Sequence, residues 1–155
     1  MKFSLARIDD GLQVSIRGDI SENAEVELNE ILEKIEVNKV TFDTAKVELI
    51  NSLGIRHWIN FAQTLRRRHV AVTYQNCFPA IIECCNIYSS FALPGEVRSF
   101  HLPLCCKSCG RGSTILLNVE NLSADYQVPA KKCATCDGEM ESEVDLETYL
   151  VFMKA

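Results

Sequence analysis

The chain has 155 residues, 47% of them hydrophobic, and a formal net charge of −5. That length suits one domain of ordinary size, or one domain plus a small module. No run approaches the ~18 apolar residues of a membrane helix, Met1–Arg7 turns charged too soon for a signal peptide, and the acidic balance argues against a nucleic-acid partner. A soluble cytoplasmic protein with no membrane contact is the expectation.

Residues 3–8 and 12–17 read as two β-strands joined by Asp9-Asp10-Gly11, a hairpin signal. Leu12, Val14 and Ile16 alternate with Gln13, Ser15 and Arg17, as in a half-buried strand. Ser21 can cap a helix with Glu22 and Glu25 in its first turn and Leu28, Ile31, Leu32 and Ile35 as its buried stripe. Lys39–Asp43 is a β-rich run, and Val47–Ile50 leads into a corner, Asn51-Ser52-Leu53-Gly54-Ile55. Asn51 and Ser52 are both good N-cap residues. The plain reading of Ser52 is that cap, and the sharper one is a regulated hydroxyl at a helix N-terminus. Gly54 allows a close backbone approach. A helix over about 53–67 follows, with Trp58, Phe61, Ala62 and Leu65 on one face. It ends in Arg66-Arg67-Arg68, which complements the negative end of the helix dipole.

His69–Tyr74 is the next strand. Pro79 starts a third helix at its first turn, whose Cys84 and Cys85 read as small core residues. Glu96–Leu102 is the last strand of this part. The order is β-β-α-β-α-β-α-β, which implies an α/β layer with mostly parallel crossovers.

The character of the sequence changes at Leu102-Pro103. Cys106-Lys107-Ser108-Cys109-Gly110 and Cys133-Ala134-Thr135-Cys136-Asp137-Gly138 are two knuckle-like turns. Between them lie a β-type run, Thr114–Val119, and a loop containing Asn121, Ser123 and Asp125. Thr148–Met153 is a candidate closing strand. Eight cysteines would suggest disulfides in a secreted chain; without a leader, and with two C-x-x-C pairs, metal is the better reading. Cys106, Cys109, Cys133 and Cys136 can complete a tetrahedral Zn²⁺ shell with no open position, a structural site rather than a catalytic one. Cys105 stands directly before Cys106 and competes for the first position; the two-residue spacing and Gly110 favour Cys106. Residues 101–155 hold five basic and eight acidic residues, so the module lacks the charge of a nucleic-acid binder.

No catalytic set emerges. His57, His69 and His101 stand apart from any nucleophile, and no Gly-rich phosphate loop is present.

The first hundred residues resemble the STAS family, shared by sulphate transporters and bacterial anti-sigma factor antagonists. The resemblance rests on the order of elements, the strand ending in Phe42-Asp43, and the corner Asn51-Ser52-Leu53-Gly54-Ile55. It covers residues 1–101, with a zinc ribbon over 102–155. The implied fold is α/β: a STAS-like mixed sheet with helices packed on it, plus a small C-terminal β zinc ribbon. In the family the corner usually reads Asp-Ser-Ser-Gly, and a partner kinase phosphorylates the serine after the Asp. Ser52 matches that serine, Gly54 the glycine and Asn51 the Asp, so this chain keeps a capping residue but lacks one negative charge. The family normally closes with a helix, where this chain carries its cysteine-rich module.

The resemblance implies a non-enzymatic regulatory module. Asn51, Ser52, Leu53, Gly54 and Arg56 would form a phosphorylation or partner-binding face for a kinase-like anti-sigma factor or another signalling protein. The alternatives are a small-ligand or nucleotide-sensing domain, or a nucleic-acid-associated zinc-ribbon protein. A homodimer is left open.

Overall fold

The computed structural model describes residues 1–122 and 126–154. The loop residues Ser123 and Asp125 lie outside it. A four-stranded mixed sheet has the order β1-β2-β3-β4. β1 (Lys2–Ile8) and β2 (Gly11–Ile20) form the expected antiparallel hairpin, and β2, β3 (Lys39–Ile50) and β4 (Ala71–Gln75) run parallel. The runs 39–43 and 47–50 are one strand, because Thr44 and Val47 are buried and continue the core.

Three helices complete this layer: α1 (Ala24–Lys34), α2 (Ser52–Arg67) and α3 (Pro79–Ile87). α1 buries Ala24, Leu28 and Ile31 as its spacing predicts. Its cap differs from the expectation. Asn23 takes the N-cap position and gives no side-chain cap bond, while Ser21 contributes its carbonyl to the Ala24 N–H at 3.0 Å. α2 buries Trp58, Phe61, Ala62 and Leu65. Phe42, Trp58, Phe61, Tyr74 and Phe91 pack as one aromatic cluster with ring centroids 5.3–6.1 Å apart. The contacts are edge or tilted except Trp58–Phe91, which is stacked at 5.8 Å, and edge-to-face geometry suits the aromatic quadrupole.

The cluster encloses two polar atoms, and both are satisfied. Trp58 Nε1 donates to Tyr74 Oη at 3.3 Å, and Tyr74 Oη donates to the Phe91 carbonyl at 3.1 Å. Burial holds the Tyr74 phenol well above its ordinary pKa. Tyr74→Phe therefore leaves a donor and an acceptor buried without partners. We expect a loss of about 2 kcal/mol in chemical denaturation, with the fold kept.

The fifth strand is where the architecture departs from the sequence reading. β5 spans Ser99–Cys106, not Glu96–Leu102, and it is the centre of a second sheet with order β6-β5-β7. β6 is Gly112–Asn118 and β7 is Met140–Ser142, both antiparallel to β5. The approach to β5 still runs beside β4. Tyr74 N–H donates to the Glu96 carbonyl, Arg98 N–H to Tyr74, Cys77 N–H to Ser99 and His101 N–H to Cys77, all at 2.8–2.9 Å. A regular ladder fails because Asn76, between the two pairs, sits at φ +52°, a left-handed conformation that Asn tolerates better than most residues. β7 then takes over the same edge. Its neighbour Glu143 donates to the Pro103 carbonyl at 3.0 Å. Pro103 falls where the partner changes from β4 to β7, so its missing N–H removes no bond from either pairing.

The boundary between residues 101 and 102 thus falls inside one strand. Phe100, Leu102, Leu104, Leu117, Tyr149, Leu150 and Phe152 join the same apolar cluster as Phe42 and Trp58.

Thr148–Met153 is not a strand. Leu146–Tyr149 is a short helix, α4, and Val151–Met153 a 3-10 turn. Asp145 caps α4, with Oδ1 accepting from Thr148 N–H at 2.9 Å. Tyr149 and Phe152 then reach Phe100. The Asn86 amide donates to the Tyr149 carbonyl at 2.9 Å and accepts from Phe152 N–H at 2.8 Å. Asn86 pairs with the terminal segment as a backbone neighbour would, and fastens it to α3.

Candidate functional site: the serine corner and the four-cysteine centre

Asn51 organises the corner between β3 and α2. Its Oδ1 accepts from Gly54 N–H at 2.8 Å, its carbonyl receives Ile55 N–H at 2.8 Å, and its N–H donates to the Ile20 carbonyl at 3.2 Å. Asn51 is therefore the cap, and Ser52 occupies the first helical position. Its hydroxyl is not consumed as an N-cap and stands exposed. The amide of Asn51 also donates from Nδ2 to Glu22 Oε2 at 2.9 Å. An Asp at position 51 would set two carboxylates against each other there, which gives a physical reason for Asn. Glu22 has its pKa lowered by its own backbone N–H and by this Asn51 bond. Sequence reading missed Glu22; nothing local marks a contact across 29 residues.

Gly54 is buried against the end of β2. A Cβ there would lie 2.0 Å from the Ile20 carbonyl oxygen and 2.6 Å from its carbon. The helix can start only where no side chain intervenes.

The first turn of α2 carries no carboxylate. Leu49 and Leu53 flank Ser52 with 54% and 49% of their surface exposed. Arg56, one turn further on, is exposed and makes no ion pair among the described residues. So the structure gathers a free hydroxyl, two exposed leucines and an unpaired cation at one helix start. Leu49 is an addition to the sequence-derived set. It resembles an interior strand residue in the sequence and is left outside by the end of β3.

The second site is the four-cysteine centre. The Sγ atoms of Cys106, Cys109, Cys133 and Cys136 all lie within 4.8 Å of one another. Cys106 and Cys136 approach to 3.4 Å, and Cys109 and Cys133 to 3.7 Å. Tetrahedral ligands at ~2.3 Å from a zinc ion stand ~3.8 Å apart, so the donor set fits that ion. The two turns are structural copies. In each, the residue four after the first cysteine donates back to it: Gly110 to Cys106 and Asp137 to Cys133, both at 2.9 Å. Those residues have φ +70° and +58°. Each first cysteine also donates its N–H five residues on, Cys106 to Arg111 and Cys133 to Gly138. Gly138 touches the other turn, where a Cβ would meet Ser108 Oγ at 2.6 Å.

Backbone N–H groups aim at the sulfurs. Those of Thr135 and Cys136 pull Cys133 down to about 6, and those of Cys109 and Ser108 lower Cys106. Cys136 accepts from Gly138 N–H, yet the sulfurs of Cys106, Cys109 and Cys133 push it up to about 12. The centre stabilises its first thiolates and resists the last one, the balance that a dication reverses. Cys105 points away from the cluster, toward the Gly110 carbonyl at 3.5 Å, because neighbouring strand residues face opposite sides. Cys77, Cys84 and Cys85 are buried elsewhere, and burial pushes the first two thiols up to about 12. They are core residues, as their sequence context predicts.

The histidines remain apart. His57 Nδ1 lies 3.9 Å from Glu25, and His101 Nδ1 lies 3.2 Å from Thr114 Oγ1. Among the described residues neither contact joins a carboxylate, an imidazole and a hydroxyl in one relay.

No family model matches this chain, and no curated protein does. Among solved structures, the chain is similar to an anti-sigma factor antagonist. That protein is SpoIIAA in its unphosphorylated form, at 10% identity and a TM-score of 0.47, over 62% of this chain and 85% of the other. No helix among the described residues is long and apolar enough to cross a membrane.

Proposed function

We propose that this protein is a non-enzymatic regulatory module whose serine corner docks a protein partner, and whose four cysteines hold a structural zinc ion. The observation that carries the first half is the exposed Ser52 hydroxyl between Leu49 and Leu53. Leu49 at the end of β3 and Leu53 in the first turn of α2, each about half exposed, are the apolar contacts this reading gives the partner. Phosphorylation would add roughly −1.5 to −2 charges and three acceptors. The positive end of α2 and Arg56 accommodate that charge, so the chain stays folded. An apolar partner surface over the leucines does not accommodate it. The modification switches association and leaves the fold alone. A kinase-like anti-sigma factor is the kind of partner that fits this reading.

The test places a photo-crosslinking residue at position 53 in cells. A discrete adduct is expected, lost in the Ser52→Asp protein while its melting temperature stays within a few degrees. Intact-mass analysis of the protein isolated from cells should show a single phosphate that disappears in Ser52→Ala. An adduct that survives Ser52→Asp would remove the switch.

Zinc would supply charge neutralisation to Cys106, Cys109, Cys133 and Cys136 and bind the two turns together. With four thiolates there is no open coordination position, so the reading assigns it no catalytic step.

A further inference from the structure

We propose that Lys2, Arg17 and Lys46 form a binding site for a small ligand carrying a chain of phosphates. The three belong to neighbouring strands and stand in one row. Lys2 on β1 pairs in register with Arg17 on β2, and Arg17 with Lys46 on β3. With strands ~4.8 Å apart, the row is ~10 Å long. All three side chains are exposed. They line one open depression of about 530 Å³, together with Met1, Gly18, Ala45, Val47 and Glu48.

An irregularity in the sheet creates the row. Ser15 pairs with Asp43, so regular pairing would set Arg17 against Ala45. The register shifts between Ser15 and Arg17, and Lys46 takes that place instead. Asp43 Oδ1 holds the shifted backbone by accepting from Ala45 N–H at 3.1 Å. Bulges of this kind re-aim a side chain at a site. Here the result is a third cation beside two others.

That arrangement works against the fold. Like charges directly opposite on adjacent strands are destabilising. The chain holds 21 acidic and 16 basic residues, so carboxylates to pair them are not scarce. Some cations elsewhere use them, Lys34 with Glu30, Arg66 with Glu96, Lys107 with Glu139 and Glu141, while others such as Arg56 make no ion pair among the described residues. Among the described residues, Lys2, Arg17 and Lys46 make no side-chain ion pair or hydrogen bond. Asp43 is occupied by Ala45 and by Asn76 Nδ2 at 3.0 Å. Glu48 is the one carboxylate on the lining.

The chemistry of the row selects the ligand. Arg presents a fork matched to phosphate oxygens, and each Lys adds a point charge. Their backbone positions span ~10 Å across the strands, a spread that matches a phosphate chain laid across the row better than one phosphate. A nucleic acid needs a longer basic track than three residues in an acidic protein. The row precedes the serine corner on β3 and does not depend on the function proposed for Ser52.

The experiment is calorimetric titration of the full-length, zinc-loaded protein at low salt, with inorganic triphosphate and separately with ATP. Triphosphate should bind with a dissociation constant below about 1 mM and weaken as salt rises. Arg17→Gln and Lys46→Gln should each weaken it at least ~10-fold. Neither should lower the melting temperature of the free protein, because each removes a repulsion. Glu48→Gln should tighten binding. Equal affinities for triphosphate and ATP would assign recognition to the phosphate chain, and tighter ATP would add a contact to the nucleoside. Absence of heat at millimolar triphosphate would overturn the proposal. So would equal binding by wild type and Arg17→Gln, or tighter binding of a single-stranded oligonucleotide than of triphosphate.

Discussion

Chelation should release one zinc ion per chain and unfold the two cysteine turns with the segment before β7, residues 106–112 and 131–142, leaving β1–β4 intact. The two cysteine turns and the segment before β7 bury little besides Cys106 and Cys133. Their own cross-links are a few backbone bonds, such as Lys107 N–H to Glu139 at 3.0 Å and Met140 N–H to Lys131 at 3.1 Å. A structural zinc ion contributes on the order of 10 kcal/mol or more, and that binding energy is folding energy when no site exists in the unfolded chain. β1–β4 stand on a different footing, with Val14, Phe42 and Tyr74 fully buried against Trp58 of α2 and its neighbours. Hydrogen exchange should therefore show lost protection over residues 106–112 and 131–142, and retained protection in β2 and β3. Native mass spectrometry supplies the stoichiometry. Cys133→Ser should reproduce the chelated state without chelator. Cys105→Ser should keep the metal, because its sulfur lies outside the cluster. A protein that carries no metal, and whose stability ignores Cys133→Ser, would rule out the zinc centre.

Gly54→Ala should destabilise the whole α/β layer by about 3 kcal/mol or more, at the upper end of overpacking costs. The added methyl would meet the Ile20 carbonyl at 2.0 Å. Both sides of that contact are backbone, so no side chain can rotate to relieve it. Relief requires α2 to move off β2, which also strains the Asn51–Gly54 cap at 2.8 Å. For a chain of this length the loss corresponds to roughly 6–12 °C in Tm. Gly112→Ala is the control: the nearest atom to its Cβ, the Leu104 carbonyl oxygen, is 4.0 Å away, and the melting temperature should hardly change. If the two variants melt alike, the close approach at Gly54 is not the constraint.

Both predictions concern residues that stand out in the sequence, and the reason is chemical. A C-x-x-C pair followed by a turn residue has few uses besides metal, and four such thiols leave few ways to gather. Gly54, between a capping residue and an amphipathic stripe, announces a helix that starts hard against something. What it starts against is not legible, because Ile20 is 34 positions away. A separation of 29 positions likewise hides Glu22, whose carboxylate takes the Asn51 amide. The C-terminal segment misled for a different reason. Thr148–Met153 has β-type composition, and an element of four residues is too short for periodicity to separate helix from strand. Asp145 with Thr148 three positions on was the available signal, a cap rather than a stripe.

The sequence by itself determined the order of the first eight elements, the faces that α1 and α2 bury, and the four sulfurs that come together. Those follow from local chemistry: alternation, helical spacing, capping and the bite of paired thiols. Only the tertiary structure decided which edge each strand would take. β5 joined the second sheet because β6 pairs along one edge and β7 along the end of the other, while its pairing with β4 is interrupted at Asn76. It also decided which residues would be left in water. Leu49 and Leu53, and the row of Lys2, Arg17 and Lys46, are ordinary strand and helix residues in the sequence. Their exposure and juxtaposition arise from register between strands far apart in the chain, which no local pattern encodes.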